Sequence, residues 1–213
     1  MMKGRFISFE GTEGSGKTSV IRKIREHYEA LGFVVMITRE PGGIRISEKI
    51  RDILLSREHT EMDARTEALL FAASRRQHLI EKIVPALNRG EMVLCDRFVD
   101  SSLVYQGLAR DLGFAEVMGI NQFAIENHFP DLTLFIDVRP EVGLERVFQT
   151  PGREVNRLDL EQRDFHNRIY DGYLRLCALY PKRIRRIPGE DEIAIVAQRC
   201  IAEIDELTRG DQA

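Results

Sequence analysis

The sequence predicts an α/β fold: a parallel sheet of about five strands with helices on both faces. Three observations carry this. Short apolar runs rich in β-branched and aromatic residues alternate with longer stretches whose apolar residues recur at helical spacing. The first run passes through a glycine-rich turn directly into a helix. No internal repeat, low-complexity run or shift of composition divides the 213 residues, so residues 1–213 read as one domain.

Taken in order, Arg5 to Glu10 is the first strand, with apolar Phe6, Ile7 and Phe9 suited to burial on both faces. Ser19 to Tyr28 has helical spacing and ends near Leu31, where Gly32 suits a C-cap. Phe33 to Thr38 is the second strand, running into a loop of charges and backbone breakers from Thr38 to Gly43. Ile46 to Leu55 predicts a helix, Arg57 to Asp63 a loop, and Ala64 to Leu87 one long helix stopped by Asn88-Arg89-Gly90. Met92 to Cys95 is the third strand, followed by Asp96-Arg97-Phe98, and Ser101 to Gly107 is a helix or a tight loop. Phe114 to His128 is a helix and Leu132 to Asp137 the fourth strand. Pro140 opens a helix that runs to Gln149. The polar stretch Thr150 to Asp159, with Pro151, Gly152, Arg153 and Arg157, reads as a small mobile lid. Leu160 to Leu179 is a helix, Arg183 to Pro188 a short basic fifth strand, and Ile193 to Leu207 the closing helix.

Composition narrows the class. Hydrophobic residues make up 43% and charged residues 31%, which suits a soluble globular protein rather than a disordered one. A net charge of −3 argues against a nonspecific duplex-DNA binder. Cys95, Cys177 and Cys200 lack metal-ligand spacing and read as reduced thiols. No signal-peptide pattern and no bilayer-length apolar run is present, so the cytoplasm is expected.

The turn after the first strand is Gly11-Thr12-Glu13-Gly14-Ser15-Gly16-Lys17-Thr18, which fits G-x-x-x-x-G-K-[ST] at every fixed position. The glycines let the main chain approach an anion closely, and successive N–H groups then point at phosphate oxygens beside a helix N-terminus. Lys17 adds an ammonium for the outer phosphates, and Thr18 offers a hydroxyl to Mg²⁺. The plainer alternative is a glycine turn that only joins strand to helix.

Such a loop alone does not separate a kinase from a switch GTPase or a motor ATPase. The Asn-Lys-x-Asp and Asp-x-x-Gly signatures of guanine-nucleotide switches are missing. Cations instead stand at separate points: Arg39, Arg51, Arg75, Arg97, Arg153 and Arg157. Converging arginines fit a site holding two phosphorylated molecules end to end. Arg39 and Arg97 follow strands, at the sheet edge where open α/β folds bind ligands. Phe71 and Arg75 share a helix face, so together they could stack a base and bond its edge, or form a core Phe with a rim Arg.

Over nearly its full length the chain resembles bacterial thymidylate kinases, within the P-loop nucleoside monophosphate kinases. Phe9-Glu10-Gly11 with the loop through Thr18, Thr38-Arg39-Glu40-Pro41-Gly42-Gly43, and Thr66 to Arg75 carry the resemblance. So do Asp96-Arg97-Phe98, Ser101-Ser102, Tyr105-Gln106-Gly107 and Pro130 to Thr133. The resemblance implies a P-loop NTPase-type sheet and transfer of the γ-phosphoryl of MgATP to dTMP. It also implies a homodimer, with no nucleic-acid polymer and no membrane as partner. By the same resemblance the residues from Gly11 to Thr18 would cradle ATP, with Glu13 near the donor phosphates and Asp96 sharing the Mg²⁺ shell with Thr18. Arg39, with Glu40 beside it, Arg51 and Arg97 would hold the acceptor's phosphate. Phe71 would stack on thymine, Arg75 would bond its edge, and Tyr105 would lie under the deoxyribose. Ser101, Ser102 and Gln106 would complete the pocket. Lacking an arginine inside its phosphate loop, the chain is similar to the subgroup whose catalytic arginine comes from the lid, here Arg153 or Arg157, with Arg146 a further candidate.

The sequence departs from the family at Ile44 and Ser47, where Thr and Gly are usual, so the resemblance does not fix how the acceptor-phosphate loop closes. Ser74 stands where an acid is common, which removes an ion pair expected before the base-contacting arginine.

Overall fold

The structure is a computed structural model of the chain and describes residues 4–149 and 156–209. Strands β1 (Arg5–Glu10), β2 (Val35–Arg39), β3 (Met92–Asp96), β4 (Leu132–Asp137) and β5 (Ile184–Pro188) form one sheet in the order β2-β3-β1-β4-β5. Every pairing is parallel, with Phe9 opposite Asp96 on one side of β1 and Leu134 on the other. Nine α-helices are described: α1 (Lys17–Ala30), α2 (Arg45–Leu55), α3 (Ala64–His78), α4 (Val84–Asn88), α5 (Val99–Ser102), α6 (Phe114–Ile125), α7 (Pro140–Gln149), α8 (Arg163–Leu179) and α9 (Ile193–Arg209).

Alternation along β1 shows how the layers form. Ile7 and Phe9 pack with Val20 and Ile24 of α1 and Val196 and Ile204 of α9 on one face. Phe6 points the other way, against Phe98, Leu79 and Ile125. A further cluster joins Phe135 and Ile184 to Leu103, Val104, Ile169 and Tyr173. Each such fully buried side chain contributes about 1.5–3 kcal/mol of burial free energy. With both faces covered, the sheet's carboxyl edge is left as the place for a cleft.

The strands stand close to their predicted positions, and the helices show three differences. The long helix expected from Ala64 to Leu87 is interrupted by a π-helical turn at Leu79–Ile83. Pro85 lies just beyond it; a proline has no N–H to donate and presses on the carbonyl one turn back, which a wider turn accommodates. The segment after β3, open as helix or loop, is α5 followed by a π-helical turn at Leu103–Ala109. Helix α8 starts at Arg163 because Leu158–Leu160 form a separate 3₁₀ turn. Asp63, expected in a loop, caps α3 by accepting hydrogen bonds from the N–H groups of Arg65 and Thr66. Of the expected mobile lid, residues 150–155 lie outside the described residues, while Leu158 and Asp159 are buried.

Candidate active site

The phosphate loop leaves β1 at the centre of the sheet, and the loops after β2 and β3 rise beside it. Together with α3 they enclose a cleft of about 850 Å³. The loop itself is tightly seated. Gly14 has φ +70°, and a Cβ there would stand 2.0 Å from the carbonyl oxygen of Gly143 in α7. Lys17 folds over the loop and donates to the carbonyls of Gly11 (3.0 Å) and Thr12 (3.1 Å) and to Ser15 Oγ (3.1 Å). Burial, reinforced by Arg97, pushes its ammonium down to about 8 against the pull of nearby acids. Thr18 Oγ1 donates to Asp96 Oδ2 at 2.9 Å.

That hydroxyl–carboxylate pair supplies the hard oxygens Mg²⁺ prefers. No cluster of three or more His, Cys, Asp or Glu among the described residues could hold a metal alone. An ion here would need phosphate oxygens and water for the rest of its shell, as Mg²⁺ usually does. The residues therefore fit Mg²⁺ held with a nucleotide.

Arg97 occupies the middle of the cleft. Its φ of +70° is uncommon for a residue with a Cβ, and its N–H donates to the Phe9 carbonyl at 2.9 Å. This backbone turn aims the guanidinium inward, where it donates to Glu13 Oε1 (3.0 Å), Ser101 Oγ (3.2 Å) and Tyr173 Oη (3.2 Å) and lies over the Tyr105 ring. Glu13 Oε1 also accepts from Tyr105 Oη at 2.6 Å. Burial alone would raise the Glu13 pKa, but Arg97, with help from His166, Tyr105 and Lys17, holds it at about 2. Burial and the charge of Glu13 push the Tyr105 phenol well up despite Arg97, so it stays a donor.

At the loop after β2 a carboxylate positions a cation. Glu48 accepts two bonds from Arg39 Nη2 (both 2.9 Å) and one from the Gly43 N–H (2.7 Å). It thereby closes the loop that Ile44, with no side-chain cap, cannot close. Arg51 donates to the Pro41 carbonyl, and the Glu40–Pro41 peptide is cis. Ser47 Oγ donates to the Ser74 carbonyl at 2.8 Å, so two positions that depart from the family meet.

The matched family model, "Thymidylate kinase", covers residues 9–200. The thymidylate kinase of Geobacillus sp. (strain WCH70) is 52% identical over 98% of this chain and 100% of its own. That of Oceanobacillus iheyensis is 57% identical over 92% of this chain and 88% of its own. The crystal structure of thymidylate kinase from Ehrlichia chaffeensis superposes with a TM-score of 0.77 at 29% identity, covering 94% of this chain and 98% of that one. The chain belongs to the thymidylate kinase family.

Most residues expected of a thymidylate kinase family member stand around one cleft. Glu13, Gly14, Ser15, Gly16, Lys17, Thr18, Arg39, Glu40, Arg51, Phe71, Arg75, Asp96, Arg97, Ser101, Ser102, Tyr105 and Gln106 all line the cleft, and Arg146 joins them. Gly11 and Thr12 do not: Gly11 offers its carbonyl to Lys17, and the Thr12 hydroxyl donates to the Val138 carbonyl. Arg153 lies outside the described residues. Arg157 is not on the cleft wall; its guanidinium donates to Glu67 Oε2 (2.5 Å) and the Leu54 carbonyl.

Phe71 and Arg75 do share the cleft face, with the burial reversed from a core Phe and a rim Arg. Phe71 is half-buried, whereas Arg75 is 1% exposed. Arg75 donates to Glu40, Ser102, Asn121 and the Phe98 carbonyl. Four supporting residues went unread as individuals. Glu10 accepts from Ser101, Tyr173 and the Phe98 N–H, its pKa raised by burial and Asp100. Glu67 holds Gln106 at 2.9 Å. His78 bridges Glu40 and Thr38, and Asn121 backs Arg75. An acid closing an apolar strand was the available signal for Glu10; the others looked like ordinary helix residues.

Proposed function

We propose that the protein transfers the γ-phosphoryl group of MgATP to the 5′-phosphate of dTMP in line, giving dTDP and ADP for dTTP synthesis. The observation that carries this is the pair of anion grips at opposite ends of one cleft, with Arg97 between them. A phosphate monoester is already a competent nucleophile, so positioning and charge neutralisation supply most of the rate.

The residues divide the work. The loop N–H groups and Lys17 hold the donor phosphates, and Arg39 and Arg51 hold the acceptor's. Arg97, between Glu13 and the sheet edge, faces the charge that spreads over the moving group. Phe71 stacks on the base, with Arg75 and Gln106 at its edge, and Tyr105 lies under the sugar. Thr18 and Asp96 hold Mg²⁺, which neutralises phosphate charge when bound. Arg146 on the cleft wall and Arg153 in the adjoining stretch are the candidates for the further cation; Arg157, engaged by Glu67, is the weaker one.

The protein acts as a homodimer in the cytoplasm. Ile53 of α2, Leu69 of α3 and Phe123 of α6 are exposed on helices packed side by side, which supports that association. No helix among the described residues is long and apolar enough to cross a membrane.

A coupled ADP assay over a panel of nucleoside monophosphates tests the activity. Turnover that requires dTMP is expected. ATP hydrolysis indifferent to the acceptor would instead mark a nucleotide-binding switch.

A further inference from the structure

The buried side-chain atoms with no hydrogen-bond partner among the described residues include Oε2 of Glu13 and Nε2 of His166, beside the cleft. The two side chains face each other. His166 stands in the first turns of α8, 3% exposed, with Nδ1 3.7 Å from Glu13 Oε2. That gap is longer than a hydrogen bond and shorter than a water bridge requires. The imidazole stands nearly perpendicular to the neighbouring Phe165 ring, with centroids 6.1 Å apart, and Phe165 itself packs against Tyr105.

The other Glu13 oxygen is already engaged by Tyr105 and Arg97. Arg97 also lines the cleft, and a guanidinium drawn to phosphate loosens its hold on Glu13. The carboxylate would then face incoming negative charge with one anchor fewer. A donor on a rigid helix, aimed at its second oxygen, answers that need.

We propose that His166 is a positioning residue for phosphoryl transfer: its Nδ1–H closes onto Oε2 of Glu13 as the nucleotides bind, holding the Glu13–Tyr105–Arg97 set in place. Nε2 is then the ring's lone-pair nitrogen, so no buried N–H is left without an acceptor. The proposal rests on the kinase reading of the cleft, and wild-type turnover of dTMP with ATP tests that reading separately.

The variants are His166→Phe, which keeps a ring without a donor, and His166→Asn, whose amide nitrogen lies near the Nδ1 position. His166→Phe should lower kcat about tenfold with little change in the KM for ATP, and His166→Asn should recover to within about threefold of wild type. In a Glu13→Gln background the His166→Phe loss should shrink to less than about twofold. Equal losses for Phe and Asn, or an undiminished loss in the Glu13→Gln background, would overturn the assignment. Should His166→Phe melt too early to assay, nitrogen-15 shifts of the wild-type imidazole, assigned through its contacts with Phe165, decide the matter. With dTMP and a non-hydrolysable ATP analogue bound, the Nδ1–H tautomer with a deshielded proton is expected; the Nε2–H tautomer refutes it.

Discussion

Lys17 carries a positive charge that its surroundings work against. Burial brings its pKa to about 8 from an ordinary 10.5. Phosphate oxygens placed beside it favour the charged form and raise the value again. Between those two pH values, therefore, ATP binding takes up a proton. Calorimetry at pH 9 in two buffers of different ionisation enthalpy should detect the uptake, and Lys17→Ala should abolish it and lower kcat at least about a hundredfold. Glu13 has the opposite sense. Its folded pKa of about 2 lies below the unfolded 4.5, a difference worth roughly 3 kcal/mol. That stability is present above pH 4.5 and is lost as pH falls toward 2. Denaturant unfolding at pH 7, 4 and 3 should show a shallower acid decline for Glu13→Gln than for wild type. Arg75 is different again, because it binds Glu40 where both side chains are almost fully buried. Arg75→Ala leaves that buried carboxylate with His78 alone and should cost about 3–5 kcal/mol of stability. Guanidinium denaturation should show the loss, and Phe71→Ala is the cleaner probe of base binding.

At the scale of elements, two contacts set the cleft. Helix α7 touches the phosphate loop through a glycine: a Cβ on Gly143 would stand 2.1 Å from the Glu13 carbonyl oxygen. Gly143→Ala must push the loop away from α7, so kcat should fall about tenfold or more while the KM for dTMP changes little, as read by steady-state kinetics. The π-helical turn at Leu103–Ala109 is the second device. Within it the consecutive residues Tyr105 and Gln106 both reach the cleft wall. Periodicity could find the helix but not the π turns, because apolar spacing over so few residues looks much the same for both windings. The strands were legible for the opposite reason. Buried on two faces, β1, β3 and β4 read as short, mostly apolar runs with breakers at their ends, while β5 is basic and partly exposed.

At the scale of the molecule, sheet order puts the two proposed anion grips on either side of Arg97. The strand carrying the phosphate loop is central, and β3 and β2, which carry Arg97 and Arg39, follow on one side. The proposed dimer belongs to this scale too. Phe123 is 89% exposed on α6, beside α3 with its exposed Leu69. Large apolar side chains exposed on neighbouring helices fit the proposed association surface. Phe123→Glu should shift sedimentation equilibrium from dimer to monomer, and a wild-type protein that sediments as a monomer would remove the dimer from the account.

The sequence alone determined the α/β class, the strand positions, the phosphate loop and most of the residues that line the cleft. The first three are written in local order, as a period, a turn and a fixed motif spacing, whereas most of the cleft residues came from the resemblance to a family. Tertiary structure decided what those residues touch. It made Arg75 a buried hub rather than a rim cation and turned Arg157 onto Glu67. It also set His166 against Glu13 and closed Glu10 onto Tyr173, 163 positions away. Such pairings depend on strand order and helix packing, and a buried charge in a low-dielectric interior must find a partner wherever the fold supplies one.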